Sequence, residues 1–216
     1  MSSAQQPDAS RVQVEWEDSL LDDDVVVTER LPLLEPHLAP SLDTWLPDYH
    51  VRTVQRRVSR ATPEDLWQAA ARTRIRDTRV LRPVIGARLG PHAPPAETTF
   101  RELFRTDIFT LLEEGDRYSI SGVAGCLWAP RGEYARFESA ADYRQYEDPG
   151  RAKAAVMTLV REHERGSEIV AEIRVWCTDR RAEMRFRSVW LLVAPFMRFV
   201  RMDLLRTVAR RAEAAG

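Results

Sequence analysis

Residues 186–205 read FRSVWLLVAPFMRFVRMDLL, and the nine positions 189–197 are all apolar, with Pro195 among them. Working outward, Phe186, Val189, Trp190, Val193, Met197, Val200, Leu204 and Val208 recur at spacings of three and four. That period predicts one amphipathic helix, started by Asp179 as its cap and running to about residue 213. At 1.5 Å per residue such a helix is about 50 Å long. A compact body of this size is roughly 45 Å across. The helix therefore has the length of the whole domain. Pro195 cannot donate to the Leu191 carbonyl, which permits a bend over the body. Nine apolar residues fall short of the ~20 that cross a bilayer, so no stable membrane insertion is expected. Arg180, Arg181, Arg185, Arg206 and Arg210 make the helix basic, but Glu183, Asp203 and Glu213 interrupt the charge, and nucleic acid is not an expected partner.

What precedes the helix is rich in strand patterns. Residues 107–130 hold two apolar runs about Glu114-Gly115-Asp116, a hairpin signal. By the period of two, Tyr118, Ile120, Gly122, Ala124, Cys126 and Trp128 are expected on one face. Residues 152–179 form a second hairpin about Arg165-Gly166-Ser167. Ile169, Ala171, Ile173, Val175 and Cys177 alternate there with Glu168, Glu172, Arg174 and Trp176. A short helix is expected at 138–145. Earlier, residues 49–60 read as a strand. Thr62, Pro63, Glu64 and Asp65 then form a helix start, with a cap, a proline at the first helical position and acids at the positive end. A second short helix broken by Pro83 is expected over 76–90.

The chain of 216 residues carries 44% apolar and 30% charged residues and a net charge of −1, the composition of an ordinary globular domain. Residues 1–50 hold eleven acids against two arginines, whereas the remainder is net basic. Residues 1–45 are accordingly read as an acidic arm, partly disordered, and 46–216 as the domain. The N-terminus has no basic start followed by an apolar run, so a signal peptide is not expected and a cytoplasmic location is. Cys126 and Cys177 lack metal or redox spacing and read as free thiols. The nine glycines form no phosphate-binding loop, and the four histidines are scattered. No cofactor and no metal are therefore expected. The overall order of strand, short helices, antiparallel strands and long terminal helix is α+β.

The order and spacing of LPDYHVR (46–52), ATPEDLWQA (61–69), TRVLRPVIGARLG (78–90), EDPGRAKAAV (147–156), AEIRVWCTD (171–179) and the terminal helix resemble the SRPBCC, or START-like, superfamily in its polyketide cyclase and lipid-transport-like branch. That resemblance implies a helix-grip fold, a curved antiparallel sheet wrapped around the long C-terminal helix with an apolar cavity between them. It carries no catalytic residue across, because the superfamily shares no catalytic motif. The first 45 residues lie outside it, and FMRF (196–199) is bulkier than the pattern.

The residues expected to bind a ligand in such a cavity are Tyr118, Trp128, Trp190, Val193 and Met197, with the Tyr118 phenol as a polar handle. Ordinary core or sheet packing is the competing role for each. Glu172 and Arg174 are expected as an ion pair on the outer face, Lys153 as solvated, and Arg187 and Arg201 with their charges reaching to the edge of the helix. The expected function is binding of a small apolar, lipid-like or polyketide-like ligand. A cyclase or aromatase-type enzyme, or an interaction module using the acidic arm or basic helix, are the alternatives, and a homodimer is an open arrangement.

Overall fold

A computed structural model describes residues 40–79, 81, 83–85, 93–129 and 133–215. The acidic stretch 1–39, and much of the second short helix expected at 76–90, lie outside the described residues.

Among the described residues, five strands form one open antiparallel sheet in the order β1-β5-β4-β3-β2: β1 (Val51–Ser59), β2 (Thr110–Gly115), β3 (Tyr118–Gly125), β4 (Ala152–His163) and β5 (Gly166–Cys177). The helices α1 (Pro63–Arg72), α2 (Phe100–Leu103), α3 (Ala140–Gln145) and α4 (Arg180–Glu213) accompany it. The architecture is α+β, with the sheet packed against the long C-terminal helix. No helix among the described residues is long and apolar enough to cross a membrane.

Local chemistry accounts for the element ends. The Thr62 hydroxyl accepts from the Asp65 amide, and Pro63 opens α1 where its missing N–H is not needed. Asp179 caps α4 through the Ala182 amide at 2.8 Å. The first hairpin turns at Asp116–Arg117 and the second at Glu164–Arg165, one to two residues from the centres read in the sequence. Gly166, at φ 127°, serves the second turn.

Register assigns the two faces of the sheet. Ile169, Ala171, Ile173, Val175 and Cys177 of β5 stand beside Val160, Thr158, Val156, Ala154 and Ala152 of β4, and beside Arg57, Gln55, Thr53 and Val51 of β1. This face carries α4 and α1. Its core divides into two groups. One lies between α1, the C-terminal half of α4 and the sheet, around Leu66, Trp67, Ile169, Val200, Leu204 and Val208. The other gathers Val51, Ala154, Val175, Cys177 and Phe186 at the start of α4. The opposite face is covered by the 3-10 helix Leu42–Thr44 and by α3, with Leu42, Leu46, Ile120, Tyr143 and Met157 buried between. Residues 40–45, read as part of the arm, thus pack on the sheet: Leu42 is buried to 1% exposure.

Candidate functional site

Chain direction places β1 alongside α4. Val51 packs in the same group as Ala182 and Phe186. At the far end, the Ser59 hydroxyl donates to Glu213 Oε1 at 3.0 Å. Between Phe186 and Val200 α4 buries little. Phe186 and Val200 are buried, but every residue from Arg187 to Phe199 is half-buried or exposed. The stripe read from the sequence is correct in position, since Val189, Trp190, Val193 and Met197 are its half-buried members, and none of them is fully covered. On the sheet face that carries α4, Ile173 in the interior strand β5 and Thr53 in β1 are also only half-buried. The neighbouring floor is paved by small side chains, Ala154, Ala171 and Ser121. The outward side of this α4 segment is apolar as well, with Leu192 at 81% and Phe199 at 64% exposure.

Two polar groups inside this region lack partners. The Trp190 indole Nε1 and the Thr53 hydroxyl are buried and hydrogen-bonded to nothing among the described residues. A buried donor left unmade costs about 1–3 kcal/mol, so such groups are rare. Trp190 is held flat against Phe186, with ring centroids 5.6 Å apart and planes at 18°. Trp128 joins the same group beside Leu127, Phe109 and Tyr134.

The other end of the region is polar. Gln55, buried on β1, donates from Nε2 to the Arg198 carbonyl at 3.2 Å. Its Oε1 accepts from Arg201 Nε at 2.7 Å. Arg201, expected to carry its charge to the edge of the helix, is instead turned toward β1, and burial pushes its guanidinium down to about 10. Arg187 differs: it pairs with Glu183 one turn earlier at 2.8 Å.

The five residues expected to share a cavity are thus partly separated. Trp128, Trp190, Val193 and Met197 lie on the α4 side or on α4 itself. Tyr118 does not. It pairs with Leu159 on the opposite face, packs near Leu42 and Ile120, and donates its hydroxyl to Glu113 Oε1 at 2.8 Å. That bond to Glu113, with burial, raises its pKa. Tyr118 and Trp128 part company at Gly125. Its φ of 138° ends the alternation, and Gly125 pairs with Tyr134 so closely that a Cβ would stand 2.1 Å from the Glu133 carbonyl oxygen. Beyond it the chain turns and Trp128 enters the α4 side.

The outer face holds the other expectations. Glu172 accepts from Arg52 at 2.9 Å and from Arg174 at 2.8 Å, and Arg174 reaches Asp43 and the Leu46 carbonyl. This is the ion-paired outer face read in the sequence, but it is buried under residues 42–46. Burial alone would raise the Glu172 carboxyl; the two arginines outweigh it and hold it below the ordinary range. Lys153 is a correction. It is not solvated but 7% exposed, donating to the Arg144 carbonyl at 3.0 Å over the rings of Trp176 and Tyr143. The sequence could not show that α3 folds back over it. Cys126 and Cys177 are free, and burial pushes the Cys177 thiol up to about 12.

Two depressions elsewhere on the surface are poorly suited to a ligand. A crevice between α1, α2 and the sheet, lined by Trp67, Phe100, Phe104 and Thr158, has a volume of about 10 Å³, room for one water at most. An open hollow of about 660 Å³ is edged by Glu97, Glu102 and Asp107, acids already engaged with Arg74, Thr99 and Arg136. No three His, Cys, Asp or Glu side chains converge on a metal-sized space among the described residues.

No protein-family model matches the chain, and no curated protein matches it. Among solved structures, it is similar to TTHA0849 from Thermus thermophilus, with 13% identity and a TM-score of 0.33 over 76% of this chain and 99% of that one. It is also similar to MLL2253 from Mesorhizobium loti, with 11% identity and a TM-score of 0.35 over 76% and 98%. A protein from Rhodobacter sphaeroides matches at 14% identity and a TM-score of 0.32, over 76% and 93%. Likeness at this level carries no argument about function.

Proposed function

We propose that the protein binds a small apolar molecule, lipid-like or polyketide-like, between the sheet and the middle of α4, as the resemblance to the SRPBCC superfamily implies. One observation carries the reading. From Arg187 to Phe199 α4 buries no residue fully, while Ile173 and Thr53 on the sheet face that carries it stay half-covered and the Trp190 and Thr53 polar groups are buried without partners among the described residues. Apolar surface left uncovered costs about 25 cal/mol per Å². A ligand with an apolar body would cover that surface. The cyclase or aromatase alternative is less favoured: it needs polar groups converging on the substrate, and the Tyr118 phenol stands on the other face of the sheet.

The test is native mass spectrometry of the full chain as purified, joined to titration with the neutral fluorophore N-phenyl-1-naphthylamine. A co-purified apolar species, or saturable uptake of one probe per chain, is expected. An empty protein that also refuses the probe overturns the reading.

A further inference from the structure

The end of the same space toward the C-terminus of α4 holds a cation that the fold has not neutralised. Three arginines of the sheet are supplied with carboxylates. Arg174 and Arg52 meet Glu172, Arg174 also meets Asp43, and Arg161 meets Glu168. Arg201 receives only the amide oxygen of Gln55, and its two terminal nitrogens have no partner among the described residues. Arg174 feels burial too, but Asp43 and Glu172 raise it, whereas burial lowers Arg201 to about 10. Arg201, half-buried, remains charged at neutral pH with no carboxylate among the described residues to balance it.

The surroundings orient this cation. Gln55 is gripped at both ends, donating to the Arg198 carbonyl while accepting from Arg201 Nε. The guanidinium is thereby held by one edge, and the edge formed by its two terminal nitrogens stays open. Two parallel N–H donors are the geometry that receives a carboxylate in a bidentate pair. Arg201 also continues the stripe of the proposed ligand space. It follows Met197 by four residues, Val193 by eight and Trp190 by eleven, on one side of α4. Eleven residues of helix are about 16 Å, a span that fits an extended apolar body with its polar head at Arg201.

We infer that the ligand is an apolar acid, its hydrocarbon or aromatic body lying under Trp190, Val193 and Met197 and its carboxylate paired with Arg201, which Gln55 positions. The inference rests on reading this space as a ligand site and adds the chemical class of the ligand.

The experiment compares dodecanoate with dodecanol, equal chains with and without the charge, by calorimetry on the full-length protein. Dodecanoate is expected to bind about tenfold or more tightly than dodecanol, since charge-assisted hydrogen bonds contribute about 1.5–3 kcal/mol. Arg201→Met should abolish that preference, weakening dodecanoate far more than dodecanol, and hold or raise Tm by removing the unbalanced charge. Arg201→Lys should keep part of the preference. Gln55→Leu, which leaves the cation but not its orientation, should weaken dodecanoate several-fold with little effect on dodecanol. Equal binding of both compounds by the wild type, or an Arg201→Met protein that still prefers the acid, overturns the acid assignment while the apolar site stands. Failure of both compounds and of the neutral probe overturns the site itself, and the inference with it.

Discussion

Glu172 and Arg174, two residues apart on β5, point to the same side of the sheet and hold each other at 2.8 Å, away from α4 and beneath residues 42–46. Each is 6% exposed. Their pairing stitches the segment before β1 to the sheet, because Arg174 also binds Asp43 and the Leu46 carbonyl. Removing the carboxylate takes from Arg52 and Arg174 the buried anion they share, and leaves Asp43 to Arg174. Glu172→Ala should cost about 3–5 kcal/mol, measured by urea unfolding at pH 7.

The same carboxyl makes stability depend on pH. Its folded pKa lies below its unfolded value, so the unfolded chain binds more protons in acid. The contribution is present above the unfolded pKa, about 4.3, and is lost as pH falls through the folded value. The unfolding free energy should decline below about pH 5, and Glu172→Gln should flatten that part of the curve. A Glu172→Gln curve parallel to wild type in this range would contradict the assignment.

Lys153, the chain's single lysine, offers a chemical test of burial. Desolvation lowers its pKa, partly offset by Glu147. A base whose folded pKa is lowered favours folding least while charged, so its unfavourable contribution disappears as pH rises toward the unfolded value, about 10.4. Reductive methylation of the native protein should spare Lys153, and denaturation should expose its amine to the reagent. Mass spectrometry reads the difference. Lys153→Met should fold with Tm unchanged or raised, because a shape-matched apolar residue often replaces a buried charge without loss.

Much of the fold could be read from local chemistry, and the exceptions share a cause. The Thr62 and Asp179 caps, both hairpins and the stripe from Phe186 to Val208 are short-range signals, and each is present in the structure. What escaped the reading depends on packing between distant segments. Alternation groups Tyr118 with Ile120 but cannot say which face α4 will cover. Lys153 is buried by Trp176 and α3, neither adjacent to it in sequence. The inward turn of Arg201 depends on Gln55, 146 positions away. The Gly125 break was visible as a glycine, but its left-handed conformation is set by the approach of Glu133 and Tyr134.

Gly125 is therefore a sharp test of how Trp128 reaches the α4 side. Any side chain there must adopt φ 138° and collide with the Glu133 backbone. Gly125→Ala should destabilise by about 1–3 kcal/mol or more. It should also alter the near-UV signal of Trp128, an effect that Trp128→Phe removes. A neutral Gly125→Ala would mean that the turn is not held as described.

The sharpest discrimination between a ligand space and an ordinary core comes from filling it. Ile173 lies on the face of β5 that carries α4 and is half-buried although it sits in the sheet's interior. Were the helix closed on a complete core, enlarging this residue would overpack it and cost about 1–3 kcal/mol. With space above it, a larger ring covers apolar surface already present and costs little. Ile173→Trp should therefore retain wild-type stability in urea, or gain on it, while losing uptake of N-phenyl-1-naphthylamine. Ile173→Val, which enlarges the space, should keep the probe and lose about 0.5–1.5 kcal/mol. A tryptophan variant that unfolds early, with probe binding intact in its folded fraction, would place the ligand elsewhere and return Trp190, Val193 and Met197 to the core.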